Sequence, residues 1–505
     1  MPPHVADLPK RFPSVVLALV ALLLALGMLG SRGLFDPDEG RYTNVALTML
    51  DTGDWIDPHR NADTGHWTKP PLTYWAIAAS IASFGSNAWA ARLPMALAYL
   101  ACIGLCWRSA RRLAPGREAL AALAYMTMLM PFLAAQLVTT DFLLSAFQAL
   151  GMWAYIEGRF REQGPGHWPW LMWAAFALAF LTKGPPALLP LLVIGLFAWL
   201  APSKEPPRRL RQFGGFVLFL ALALPWFVIV TYEHPGLLAY FLGSEVVARV
   251  ASNQFARHGE WYGWAEVYVP TLLLGTLPWT QRVLAWMRGL PAAIRRWRGP
   301  QVRDAEAPAL LLALWILVPL LVFCIARSRL PLYLLPVFVP LALVVARQVP
   351  AGAAIWPRWQ WLAAWGLVLV ALRIGVAHYP SDQDASAWAR AIQSRVSTPV
   401  REVVFVEDMP RYGLHLYLRT SVETLSLDDL EQPAYNPEYD ESLAIELAEA
   451  ATETGVVYVT RQKLWPAVNR RVIAHGFRAQ PQGTPFHGRV IFVVATGAPG
   501  GGARD

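Results

Sequence analysis

The chain has 505 residues, of which 55% are hydrophobic and only 15% charged, with 23 tryptophans and a mean hydropathy of +0.35. That balance excludes an ordinary soluble globular protein, in which about a quarter of the residues carry charge. The net charge of +8 is not read as nucleic-acid affinity: the basic residues sit in short loops between apolar runs, as the cytoplasmic lysine and arginine bias of membrane proteins predicts.

Apolar length predicts eleven spans, at about 14–30, 88–107, 118–135, 138–157, 167–182, 186–201, 212–231, 263–283, 308–326, 331–347 and 359–377. The first follows Lys10 and Arg11 and is read as a retained span, since no small-residue cleavage site follows it. The segment 72–86 is apolar but short, and is read as a re-entrant or interfacial piece or part of an extra helix pair. Cys102, Cys106 and Cys324 lie in apolar runs, which argues against a disulfide framework. Basic clusters such as Arg108, Arg111, Arg112 and Arg117, or Lys204, Arg208, Arg209 and Arg211, mark alternate loops as cytoplasmic. The N-terminus is then inside and the C-terminus outside. The loops 31–87 and 232–262, the corners at Asp141, Lys183 and Arg327-Ser328-Arg329, and everything after about 378 share the outer face.

Polar residues become common after 378. Residues 403–406, 456–460 and 490–495 read as short buried strands, and 385–396 and 441–451 as helices. The expected organisation is a multi-pass α-helical membrane domain over 1–378, including both outer loops, and a small soluble α/β domain over 379–505, with 497–505 unstructured.

Several outer-face residues are candidates for chemistry. In Asp36-Pro37-Asp38-Glu39-Gly40-Arg41-Tyr42, Asp36 fits an N-cap, Pro37 the first helical position and Glu39 a capping-box-like partner. Tyr42, Val45, Ala46, Met49 and Leu50 then predict a short helix lying on the membrane surface. Capping needs neither Asp38 nor Arg41, which leaves a surface pair or a functional one. In Trp67-Thr68-Lys69-Pro70-Pro71 two prolines fix the approach to the bilayer, so Lys69 either reaches lipid headgroups or contacts a phosphate. Asp141 stands one turn into a span, where an ionised carboxylate costs roughly 2.5–3.5 kcal/mol and therefore faces a cavity or a partner; an N-cap is the plainer alternative. Lys183, before Gly184-Pro185-Pro186, is a phosphate contact or a plain loop lysine. The loop 232–262 holds Glu233, His234, Glu245, Arg249, Arg257, His258 and Glu260. Its carboxylates and histidines allow a divalent metal without diagnostic spacing, and Arg249 and Arg257 suit phosphate. Arg327 and Arg329 defy the charge bias, which an anionic ligand or snorkelling would explain. No Gly-rich nucleotide loop, zinc spacing or nucleophile elbow is present, so a membrane-carried substrate approached from outside is expected.

These motifs carry a resemblance. Asp38-Glu39-Gly40-Arg41-Tyr42, Gly53-Asp54-Trp55, Lys69-Pro70-Pro71-Leu72-Thr73-Tyr74-Trp75, Ala91-Arg92-Leu93-Pro94, Thr140-Asp141, Leu181-Thr182-Lys183-Gly184-Pro185 and Leu330-Pro331-Leu332-Tyr333-Leu334-Leu335-Pro336 resemble the aminoarabinose lipid A transferases. More broadly, the chain looks like a member of the protein O-mannosyltransferase superfamily of C-type membrane glycosyltransferases. The resemblance covers about residues 12–350. It implies a bundle of about 11–13 spans and a polyprenyl-phosphate sugar donor. It also implies Asp38 as the essential catalytic carboxylate with Asp141 in the cavity, and Arg41, Lys69 and Tyr333 near the carrier phosphate. Where the aminoarabinose enzymes commonly carry an acid before Lys-Pro, this chain has Thr68, and Arg329 replaces their usual lysine.

The expected activity is inverting transfer of a sugar from undecaprenyl phosphate at the periplasmic face of a bacterial inner membrane. The sugar would be 4-amino-4-deoxy-L-arabinose and the acceptor lipid A, or a hexose such as mannose passed to a protein or another glycolipid. A lipid transporter or flippase is the rival class; it would need charges near mid-membrane and often inverted repeats, neither of which the sequence has.

Overall fold

The computed structural model describes residues 12–161, 166–202, 209–243, 258–349, 359–449 and 454–496. Contacts divide the chain into two compact units, one made of Met1–Leu29 and Arg92–Ile374, the other of Gly30–Ala91 and Gly375–Asp505.

The first unit is helical. Each expected apolar run outside the tail is helix, in places with a 3-10 turn: Pro185–Leu188 precedes the helix Leu189–Leu200, and Pro331–Val337 precedes Phe338–Arg347. Among the described residues, Ala88–Leu113, Gln212–Glu233, Ala307–Ile325 and Gln360–His378 have by themselves the length and hydropathy of a membrane crossing. Two runs are broken. The run 118–135 becomes Glu118–Thr127 and Leu129–Ala134 with an extended Met128 between them, and 263–283 becomes Gly263–Gly275 and Thr280–Arg296. A break in hydrocarbon must have its freed backbone groups satisfied by neighbours. Here the breaks satisfy one another: the Leu129 amide donates to the Leu277 carbonyl at 3.1 Å, and the Trp279 indole to the Thr127 hydroxyl at 2.9 Å. The Thr127 carbonyl accepts from the Trp365 indole on the last helix. That helix, Trp359–His378, is further held by Arg373, which donates to the Gly27 carbonyl at 2.7 Å and lies over the Phe132 ring. Most of its other apolar side chains face outward, Leu367 among them, while Leu369 is buried.

The second unit is a six-stranded sheet covered on both faces. Strands β1 (Glu402–Val406), β2 (Ser421–Ser426), β3 (Glu441–Ser442), β4 (Val456–Arg461), β5 (Phe477–Pro481) and β6 (Arg489–Thr496) lie in the order β3-β2-β1-β4-β6-β5. β3, β2, β1 and β4 are mutually parallel, and β6 is antiparallel to β4 and β5. Val403 and Phe405 pack with Trp388, Ile392 and Leu414 on one face; Val404 and Val406 pack with Leu447, Val468 and Val472 on the other. Burial of both faces is why β1 reads as a continuous apolar run rather than an alternating one. The more polar strands β2, β3 and β5 lack that signal, and the sequence reading does not include them; the tail 497–505 lies outside the described residues.

The segment 30–91 packs within this second unit. The Asp36 amide donates to the Gln383 carbonyl and the Ala385 amide to that of Leu34, both at 3.0 Å. The Leu34 amide donates to the Tyr417 hydroxyl at 3.1 Å. The helix Asp38–Thr52 is buried almost all round, including Thr43, Asn44 and Thr48, which corrects the expectation of a helix laid on the membrane surface. Its polar side is used for contacts: the His415 ring bridges Asn44 Oδ1 (2.8 Å) and Asp51 Oδ2 (2.9 Å). Beyond the helix, Arg60 pairs with Asp440. The short apolar segment is the helix Leu72–Phe84, 13 residues long.

Candidate active site

In the second unit the polar cluster begins at Pro37, the N-cap of the helix Asp38–Thr52. Asp36 does not cap it, contrary to the sequence expectation. Its carboxylate turns away to accept the Gly413 amide at 3.0 Å, in a space that a Cβ on either Gly40 or Gly413 would invade. Burial pushes the Asp36 carboxyl up to about 8, against the lowering effects of that hydrogen bond and of Arg411. Glu39 does reach back: it accepts the Phe35 amide at 2.9 Å and an Arg32 guanidinium N–H at 2.5 Å. It is buried, so its visible work is to hold residues 32–39 in shape.

Asp38 is left facing outward, and Arg41 donates to it at 2.7 Å. The Arg41 guanidinium lies 5.7 Å from the Tyr42 ring centre, within the electrostatic reach of Tyr74 and Tyr412. Lys69 is half-buried, its ammonium donating to the Thr68 carbonyl at 2.6 Å. His66, absent from the sequence reading, joins these residues. Burial first, and then the charges of Arg41, Arg60 and Lys69, hold it neutral, well below the usual histidine range. Arg41 and Lys69, 28 positions apart, therefore share one neighbourhood. The signal that would have found His66 was its place two residues before Thr68, which is weak by itself.

In the helical unit, Thr139 caps the helix Thr140–Phe160 through its hydroxyl, which relieves Asp141 of that work. Asp141 instead pairs with Lys183, the last residue of the helix Trp168–Lys183, with side chains 8% and 11% exposed. The Lys183 ammonium also sits 4.5 Å above the Tyr333 ring centre. Asp141, Lys183 and Tyr333 are thus brought together from three separate polar corners. A small apolar pocket lined by Leu144, Gln148, Pro186, Trp315, Phe323 and Val337 lies among the helices of this unit.

Arg329 is buried and spent on carbonyl oxygens: those of His258 (2.5 Å), Glu260 (2.8 Å) and Cys324 (3.0 Å). Those bonds give a structural reason for a cation against the charge bias. His258 is exposed, with φ +55 and Nδ1 3.7 Å from Glu266. Arg249 and Arg257 lie outside the described residues.

Residues 68–232 match the family model described as dolichyl-phosphate-mannose-protein mannosyltransferase. The chain is 31% identical over 349 residues to an undecaprenyl phosphate-alpha-4-amino-4-deoxy-L-arabinose arabinosyl transferase of Pseudomonas fluorescens, covering 67% of this chain and 60% of that protein. It is 33% identical over 341 residues to the enzyme of that name from Aeromonas salmonicida, covering 65% and 58%. The match thus spans less than two thirds of these relatives' length. Its fold is that of ArnT from Cupriavidus metallidurans, solved bound to undecaprenyl phosphate, with a TM-score of 0.73 over 97% of this chain and 100% of that one at 22% identity.

Proposed function

We propose that this chain, a member of the C-type membrane glycosyltransferases related to the aminoarabinose transferases, moves a sugar from undecaprenyl phosphate to an acceptor at the periplasmic face of the bacterial inner membrane. The sugar is 4-amino-4-deoxy-L-arabinose, which its relatives' names carry, and the acceptor is lipid A. The observation that carries this reading is the cluster of Asp38, Arg41 and Lys69 beside a neutral His66. It offers one carboxylate and two cations, which suits a phosphate leaving group and needs no nucleotide.

In the reaction the acceptor oxygen attacks the anomeric carbon, the bond from that carbon to the phosphate oxygen breaks, and undecaprenyl phosphate leaves with the electron pair. A single displacement of this kind inverts the anomeric centre. Arg41 and Lys69 neutralise the charge developing on the phosphate. Asp38 orients the acceptor, and takes its proton if the acceptor is a hydroxyl; a phosphate acceptor is already ionised and needs no base. In the helical unit, taken by itself, Asp141 holds Lys183 beside Tyr333, and the pair offers a cation and a hydroxyl to an anionic ligand.

Mass spectrometry of lipid A and total envelope glycans, from cells with and without the protein and with Asp38→Asn, tests this. Loss of an aminopentose-sized mass from lipid A in both deficient strains is the expected result. An unchanged glycan profile under expression would defeat it. A second reading, transfer of a hexose to protein or another glycolipid, is favoured by the mannosyltransferase family match and by Thr68; it predicts a hexose-sized loss elsewhere.

A further inference from the structure

The mechanism above gives His66 no step of its own. Its side chain is 3% exposed. Its Nε2 lies 2.8 Å from the Thr68 hydroxyl oxygen. Its Nδ1 is buried with no hydrogen-bond partner among the described residues. The ring stands edge-on to Tyr74, with centroids 6.2 Å apart, and its backbone amide is tied to the Pro58 carbonyl at 2.6 Å. The histidine is therefore fixed, and so is the hydroxyl it touches. Thr68 is half-buried, and its carbonyl accepts the Lys69 ammonium.

The pair is incomplete whichever tautomer His66 takes. If Thr68 donates to Nε2, a buried Nδ1–H lacks an acceptor, which costs the full desolvation of that group. If Nε2–H donates to Thr68, Nδ1 is instead a buried acceptor without a donor, and the threonine proton is free to point at another oxygen. The second arrangement is the one that equips the site for a ligand. It presents a directed O–H next to Lys69, backed by a ring that burial, and then the nearby cations, keep neutral. Such a group attracts a hydroxyl or ether oxygen. It has no charge with which to hold an ammonium.

Resting on the glycosyl-transfer reading, we propose that Thr68, positioned by His66, is a specificity-determining residue that hydrogen-bonds one hydroxyl of the transferred sugar beside Lys69. In 4-amino-4-deoxy-L-arabinose the sugar would thus be read here through its 2- or 3-hydroxyl and not through its amino group. A site built to hydrogen-bond a hydroxyl rejects an analogue lacking it far more strongly than an apolar pocket rejects a missing methylene.

The test uses the full-length purified protein, lipid A, and undecaprenyl-phosphate 4-amino-4-deoxy-L-arabinose alongside its 2-deoxy and 3-deoxy forms. With the unmodified protein, one deoxy donor should lose about ten- to a hundred-fold in kcat/KM. Thr68→Val should lose a similar factor with the parent donor and nothing further with that deoxy donor. His66→Phe should behave like Thr68→Val, the double variant should be no worse than either, and Thr68→Ser should stay within about three-fold of the unmodified protein. A merely structural role would not remove discrimination against one hydroxyl. Equal discrimination by Thr68→Val and the unmodified protein would overturn the assignment. So would weaker binding of sugar-free undecaprenyl phosphate by the same factor as turnover, which gives the hydroxyl to the phosphate instead. No transfer from any donor by the unmodified protein would sink the glycosyl-transfer reading itself, and the pair's role with it.

Discussion

Asp38 and Arg41 pair across one helical turn at 2.7 Å while their side chains stay 55% and 30% exposed. An ion pair this open contributes about 0–1 kcal/mol, so its value to the protein is not stability. Asp38→Asn is expected to abolish sugar transfer while changing unfolding by less than about 1 kcal/mol. Thermal unfolding in detergent and transfer from undecaprenyl-phosphate sugar, measured on one preparation, check this; normal turnover would remove Asp38 from the mechanism.

The pair Asp141–Lys183 is the opposite case. Both side chains are largely buried, so removing one partner strands a charge at a cost of about 3–5 kcal/mol. Asp141→Asn and Lys183→Met should each destabilise the helical unit strongly, and the two together should be milder than either alone. Tyr333→Phe should keep the ring under the lysine, while Tyr333→Leu should lose a further ~0.5–2 kcal/mol. Denaturation midpoints of the five variants decide it.

Asp36 predicts a pH dependence. Its carboxyl is pushed from 3.8 to about 8 by burial, so the folded chain holds its proton where the unfolded chain has lost it. Below about pH 4 both states are neutral and nothing is lost. As pH rises towards 8 the folded state forfeits this contribution. Asp36→Asn keeps an acceptor for the Gly413 amide and cannot ionise. Its melting temperature should gain on the unmodified protein from about pH 4 to about pH 8 and then run parallel; a constant gap would refute it.

Arg329 holds the chain at His258 and Glu260, and next to them a Cβ on Gly263 would stand 2.1 Å from the His258 carbonyl oxygen. Lysine keeps the charge without the fork of donors. Arg329→Lys should speed amide exchange at residues 258–263 and lower activity only through that segment. Unchanged exchange with lost phosphate binding would give Arg329 a ligand role instead.

Much was decided by the sequence alone. Apolar length set the spans, because hydrocarbon demands helices with every backbone group bonded internally. Continuous apolar runs such as Val403–Val406 marked the strands buried on both faces. The motifs around Asp38, Lys69, Asp141 and Tyr333 carried the family resemblance, since each needs only its local residues to be recognised. Tertiary structure decided the pairings. Thr139 capped its helix and left Asp141 to Lys183, 42 positions away, and no periodicity encodes that contact. Asp36 looked like a cap from its place before Pro37, but a better partner lay in the Gly413 amide, 377 positions on. His66 gained its meaning only when burial and the charges of Arg41, Arg60 and Lys69 fixed it as a neutral ring. Local propensity and hydrophobic length act over a few turns, so a sequence displays them directly. Desolvation and charge depend on what folding brings near, and only the folded chain supplies those neighbours.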